Sequence, residues 1–140
     1  MVIFAERFTY QLNLMTENEI ARTVIHIGLK VHRALGPGLL ESAYEECLCF
    51  EMRKQGMFVE KQKPLPLIYE EIKLEVGYRI DLMVENKLIV EVKSVESLND
   101  LHMAQILTYL KLSKCKLGLL INFNTVLFKN GIKRLILDSV

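Results

Sequence analysis

Arg79–Ser94, RIDLMVENKLIVEVKS, decides how this chain is read. The segment predicts two strands joined by a tight loop, with charges set into apolar runs. Placing the loop at Glu85-Asn86-Lys87, with Asn86 in the left-handed conformation that Asn tolerates, pairs Val84 with Leu88 and Leu82 with Val90. Asp81 then falls opposite Glu91, at the roughly 4.5–5.5 Å Cα separation of an antiparallel pair. Side chains alternate along a strand, so Lys93 shares a face with Glu91. Leu82, Val84, Leu88, Val90 and Val92 fill the other face.

Two facing carboxylates need a physical reason. At about 4 Å and an effective dielectric near 20, like charges repel by roughly 4 kcal/mol. Either one acid keeps a proton or a cation sits between them. Magnesium commonly uses one or two carboxylates, with water and phosphate completing its shell. A neighbouring lysine could then orient a water or neutralise a transferring phosphoryl group. The plainer account is a solvent-facing hairpin in which Arg79 and Lys93 pair with the acids. Spacing by itself favours that account, because short charged patterns on strands recur by chance.

Outward from the hairpin, the elements read as one α/β domain with a mixed sheet. Thr16-Glu17-Asn18-Glu19 has the form of a capping box, followed by Ile20, Val24, Ile27 and Val31 at helical spacing. Gly36-Pro37-Gly38 stops that helix. A second helix is expected over Leu39–Gln55, with Leu40, Ala43, Cys47, Phe50 and Lys54 as its mostly apolar stripe. Phe58–Lys63 reads as a strand, and Pro64 and Pro66 argue for an edge position or an irregular crossing. Short segments around Glu70-Glu71 form a hairpin, Ser97–Asp100 caps a helix over Leu101–Leu112, and Leu117–Asn122 has the unbroken apolar character of a covered strand. Ile132–Leu137 closes the chain's structure. Residues 1–15 are assigned to an N-terminal extension and 16–140 to the domain.

Composition narrows the function. The 140 residues are 51% apolar and 25% charged, a globular balance, and the formal net charge of +1 provides no global basic field for nucleic acid. A basic-rich C-terminal third, including Lys111, Lys114, Lys129 and Arg134, offers at most a local backbone track. The opening sequence is neither a signal peptide nor a membrane span, so the chain is read as cytoplasmic with no membrane partner. The three cysteines have neither disulfide nor zinc spacing.

Gly38-Leu39-Leu40-Glu41-Ser42-Ala43-Tyr44 matches the motif that names the GxxExxY proteins. The surrounding VHRALGPGLLESAYEECL, the segment Gln105–Leu110 and the run Gly118–Phe123 resemble the same family, so the likeness extends over roughly Thr16 to Leu137. That family is similar to the PD-(D/E)XK phosphodiesterases. The resemblance implies a restriction-endonuclease-like fold, a mixed β-sheet flanked by helices, and reverses the weighting from spacing. It further implies that Asp81 and Glu91 hold Mg2+ or Mn2+, with the Val92 carbonyl and Glu41 as further ligands. Lys93 would position the attacking water, and Gln105 and Tyr109 would match a Q-x-x-x-Y element. Ile80 stands where the signature often has proline.

Locally, Glu41 also suits the positive end of a helix and Tyr44 a core position. His102, Gln105 and Tyr109 share a helical face that is either part of the site or an ordinary polar surface. His26 and His32 read as structural. The resemblance therefore implies a metal-dependent nuclease, acting on DNA ahead of RNA. The different-class alternative is a nuclease-like fold that serves as a non-catalytic nucleic-acid-binding or protein-assembly module. A small domain with little basic surface is expected to pair as a homodimer to enclose duplex DNA, or to work with a protein partner.

Overall fold

The computed structural model describes residues 15–75 and 77–138. Apart from Met15, the N-terminal extension lies outside the described residues. Helix α1 spans Glu17–Leu35, and Thr16 caps it by accepting the Glu19 N–H on Oγ1 at 3.2 Å. Its apolar spacing works as expected, with Ile20, Val24, Ile27 and Val31 all buried.

Helix α2 spans Glu41–Lys54, and here the expected stripe is wrong. The buried face is Tyr44, Glu45, Leu48, Cys49 and Met52, whereas Leu40 is 76% and Phe50 64% exposed. The cause lies in how the chain enters the helix. The Tyr44 hydroxyl donates to the Gly36 carbonyl at 2.5 Å and accepts the Leu39 N–H at 3.1 Å. Its ring stacks on Phe123 with centroids 4.4 Å apart. With Tyr44 fixed inward, the residues one, four, five and eight positions later follow it by helical geometry. Gly36 and Gly38 hold left-handed angles (φ 69° and 95°), so the loop that Tyr44 grips needs their missing side chains.

Among the described residues seven strands follow in chain order: β1 Val59–Pro64, β2 Leu67–Tyr69, β3 Ile72–Leu74, β4 Arg79–Val84, β5 Leu88–Lys93, β6 Leu117–Asn122 and β7 Ile132–Ile136. Helix α3, Asp100–Ser113, connects β5 to β6. The main sheet has the order β1-β4-β5-β6-β7, parallel only between β5 and β6, while β2 and β3 form a separate hairpin. A parallel pair needs a crossover, and α3 supplies it. β1 is an edge strand, in keeping with its proline.

Helices α1 and α2 pack on one side of the sheet, against Leu82, Val84, Leu88, Val90, Val92, Leu119 and Ile121. On the other side α3 packs Ile106, Tyr109 and Leu110 against Ile80, Met83, Ile89 and Leu120. Each fully buried Leu or Ile stabilises this sandwich by roughly 1.5–3 kcal/mol. The mixed sheet flanked by helices is thus the architecture expected of a small restriction-endonuclease-like domain.

The β4–β5 register is the one spacing predicts, with Leu82 opposite Val90 and Val84 opposite Leu88. Its turn differs in one respect. Both Glu85 and Asn86 are left-handed, at φ 54° and 56°, rather than Asn86 alone. Glu85 is held there by Phe58, which accepts the Glu85 N–H and donates its own N–H to the Glu85 carboxylate, each at 2.8 Å.

Candidate active site

Strand alternation fails at one place, and that place is Asp81. Ile80 packs on the α3 side and Leu82 on the opposite side, although residues two apart on a regular strand share a face. Across the sheet, β1 and β4 pair at Lys61–Leu82 and Lys63–Ile80 but skip Gln62 and Asp81 between them. Gln62 is left-handed at φ 49°. The ladder between β4 and β5 likewise stops at Leu82–Val90.

Side chains take over where the ladder stops. The Asp81 N–H donates to Glu91 Oε1 at 3.0 Å, and the Val92 N–H donates to Asp81 Oδ2 at 2.9 Å. The two acids therefore face each other as the spacing required, but each occupies a hydrogen-bonding position that a regular ladder would give to a carbonyl. Glu91 is only 3% exposed. Its burial, and then the Asp81 charge, push its carboxyl up to about 9, with Lys93 pulling the other way. Without a cation, Glu91 is the member of the pair that keeps a proton.

Lys93 lies two residues beyond Glu91 on β5 and is half-buried. Its ammonium enters none of the ion pairs among the described residues. The strand end is well fixed: the Phe123 N–H donates to the Lys93 carbonyl at 2.9 Å. The buried Asn122 amide exchanges hydrogen bonds with the Val95 backbone at 3.0 and 2.9 Å. Arg79, offered as a partner for Glu91, is exposed and makes no such pair among the described residues.

Glu41 opens α2, and the helix start is tied to the strand end because Ser94 Oγ donates to the Leu39 carbonyl at 2.6 Å. Glu41 Oε2 is buried without a hydrogen-bond partner among the described residues. No three His, Cys, Asp or Glu side chains converge on a common metal position among those residues. The fit to a metal thus rests on Asp81 and Glu91. An all-oxygen pair with one proton to lose suits a hard divalent cation, and magnesium needs no more than two protein carboxylates.

On α3, Gln105 Nε2 donates to the Tyr109 hydroxyl at 3.0 Å. Tyr109 is buried on the α3 side of the sheet with Ile89 and Leu120, and its hydroxyl pKa is raised by burial and then by the charges of Glu91 and Asp81. Neither Gln105 nor Tyr109 hydrogen-bonds to Asp81 or Glu91 among the described residues. His102 is occupied elsewhere: its Nδ1 accepts the Asn99 N–H and its own N–H goes to Asn99 Oδ1, closing a capping box. His32 Nε2 donates to the Thr125 carbonyl at 2.7 Å and is structural as expected.

Two residues of the site escape sequence reasoning. Glu45, 8% exposed, receives Gln62 Nε2 on both carboxylate oxygens at 3.0 Å, and the same amide donates to Asp81 Oδ1 at 3.2 Å. Burial raises the Glu45 pKa, the Gln62 hydrogen bond opposes the rise, and the Asp81 charge adds to it. The available signal was that Glu45 follows Glu41 by four residues and so shares its helix face.

A family model described as the PD-(D/E)XK nuclease superfamily matches residues 18–135. No curated protein and no solved structure matches the chain.

Proposed function

The chain belongs to the PD-(D/E)XK nuclease superfamily, and on that premise we propose that it hydrolyses phosphodiester bonds of nucleic acid with a divalent metal, DNA ahead of RNA. The observation that carries the proposal is the Asp81–Glu91 pair, in which half-buried Asp81 donates its N–H to the buried Glu91 carboxylate and accepts the Val92 N–H, on the strand that also carries Lys93, an ammonium without an ion-pair partner among the described residues.

Asp81 and Glu91 would hold Mg2+ or Mn2+, with the Val92 carbonyl and Glu41, directly or through water, as further donors. The ion would neutralise charge on the phosphate and lower the pKa of a bound water. Glu91 must release its proton as the site loads, since a carboxylate binds the cation and a carboxylic acid does not. Lys93 orients the water for in-line attack and stabilises the charge that develops on phosphorus. Tyr109, held by Gln105, forms the α3 wall and keeps bulk water from Glu91.

The test is cleavage of single-stranded, duplex and branched DNA and RNA with magnesium or manganese. Lys93→Ala is expected to lower the rate by roughly 10²–10³, the usual loss for one preorganised electrostatic group. Lys93 is half-buried and enters no ion pair among the described residues, so the variant should fold. Cleavage unchanged in both Lys93→Ala and Asp81→Asn would overturn the proposal.

A further inference from the structure

We propose that Gln62 and Glu45 form a positioning clamp that sets the Asp81 carboxylate for metal binding, an inference that rests on the metal-dependent function proposed above. Asp81 has two oxygens, and the structure accounts for each. Oδ2 accepts the Val92 N–H from β5, and Oδ1 accepts Gln62 Nε2 from β1. The carboxylate is thereby gripped from both neighbouring strands, so its torsion is set before any cation arrives. Each oxygen keeps a further acceptor position.

The clamp needs an anchor, because a long exposed glutamine at a strand edge would otherwise sample many rotamers. Glu45 supplies it. Both of its oxygens accept the Gln62 amide at 3.0 Å from a buried position on α2. A charged acceptor makes these bonds stronger than neutral ones.

The backbone shows that the arrangement is built at a cost. Gln62 sits at φ 49°, a conformation that disfavours residues with a Cβ, and the β1–β4 ladder omits its pairing with Asp81. Continuing the ladder would have been the simpler structure, and the interruption coincides with the clamp. Strain of this kind persists where surrounding contacts over-determine it. Gln62 and Glu45 touch Asp81 or one another and not the reacting atoms, so both are positioning residues.

Gln62→Gly separates positioning from folding. Glycine accepts the left-handed angle without strain but carries no amide, so the clamp disappears, and a thermal melt measures separately what it costs to leave the buried Glu45 carboxylate without that donor. Mn2+ affinity by titration calorimetry is expected to fall about 10–100-fold, the usual effect of losing a group that orients a metal ligand. Glu45→Leu should weaken affinity similarly by freeing Gln62, and Glu45→Gln, which keeps one acceptor, should recover part of it. Asp81→Asn is the control for the underlying function. If Asp81→Asn abolishes Mn2+ binding and Gln62→Gly leaves it unchanged, the clamp is refuted and the metal site stands. If Asp81→Asn also leaves binding unchanged, the metal site itself is refuted.

Discussion

Replacing Glu91 with Gln should stabilise this protein, and increasingly so as the pH rises. In the fold Glu91 is pushed up to about 9, while in the unfolded chain it titrates near the ordinary glutamate value of 4.5. Between those values the native state holds a proton that the unfolded state has lost. Stability then falls with rising pH, by about 1.4 kcal/mol per unit for one such group. The sign is opposite to that of an ordinary salt-bridged acid: the contribution is intact below the unfolded pKa and is lost as pH rises toward the folded one. Glutamine keeps an oxygen for the Asp81 N–H and offers its NH2 where the proton stood, so the shape and the hydrogen bonds survive while the titration is removed. From about pH 5 to 8 the stability difference between Glu91→Gln and wild type should widen by up to about 4 kcal/mol, a large share of a typical 5–15 kcal/mol. Glu45 shifts in the same direction but is present in both proteins and cancels in the difference. Urea unfolding of both, at several pH values, constant ionic strength and excess chelator, measures this directly. Parallel stability curves would refute the reasoning, since they would mean that Glu91 is ionised in the native state without a cation. Adding Mn2+ at pH 8 should narrow the gap, because the ion stabilises only the native wild type.

Tyr44→Phe removes the hydroxyl that joins Gly36 to Leu39 and leaves a backbone carbonyl and N–H without that partner; denaturant melts should show a loss of about 1–3 kcal/mol. His102→Ala should cost under about 1 kcal/mol and leave any cleavage within twofold, because its ring only completes a helix cap; a large activity loss would return His102 to the site. Gly131→Ala places a Cβ against the Asn122 backbone, which also frames the β6 end beside Lys93, and should lower the melting temperature far more than a surface substitution.

The local periodicities were legible in the residues themselves. Leu82, Val84, Leu88, Val90 and Val92 share one face because a strand repeats every two residues, and the register they set ends one step short of Asp81, whose N–H then meets the Glu91 carboxylate. The α1 stripe, the edge character of β1 and the covered β6 followed from equally short-range rules. The α2 face was misread because it buries a carboxylate and exposes Leu40 and Phe50, against the usual partition of polar and apolar side chains. What orients α2 is Tyr44 stacked on Phe123, a contact between residues far apart in sequence.

The sequence by itself determined the order of elements, the hairpin register and the acid, acid and lysine carried on one β-ribbon, since all of these arise from interactions within a few residues. Tertiary structure decided which distant groups meet that ribbon. Glu45 and Gln62 reach Asp81 only because α2 is packed onto the sheet at one angle and β1 breaks its ladder at one residue. Packing of separate elements fixes such meetings, and no repeat along the chain encodes them.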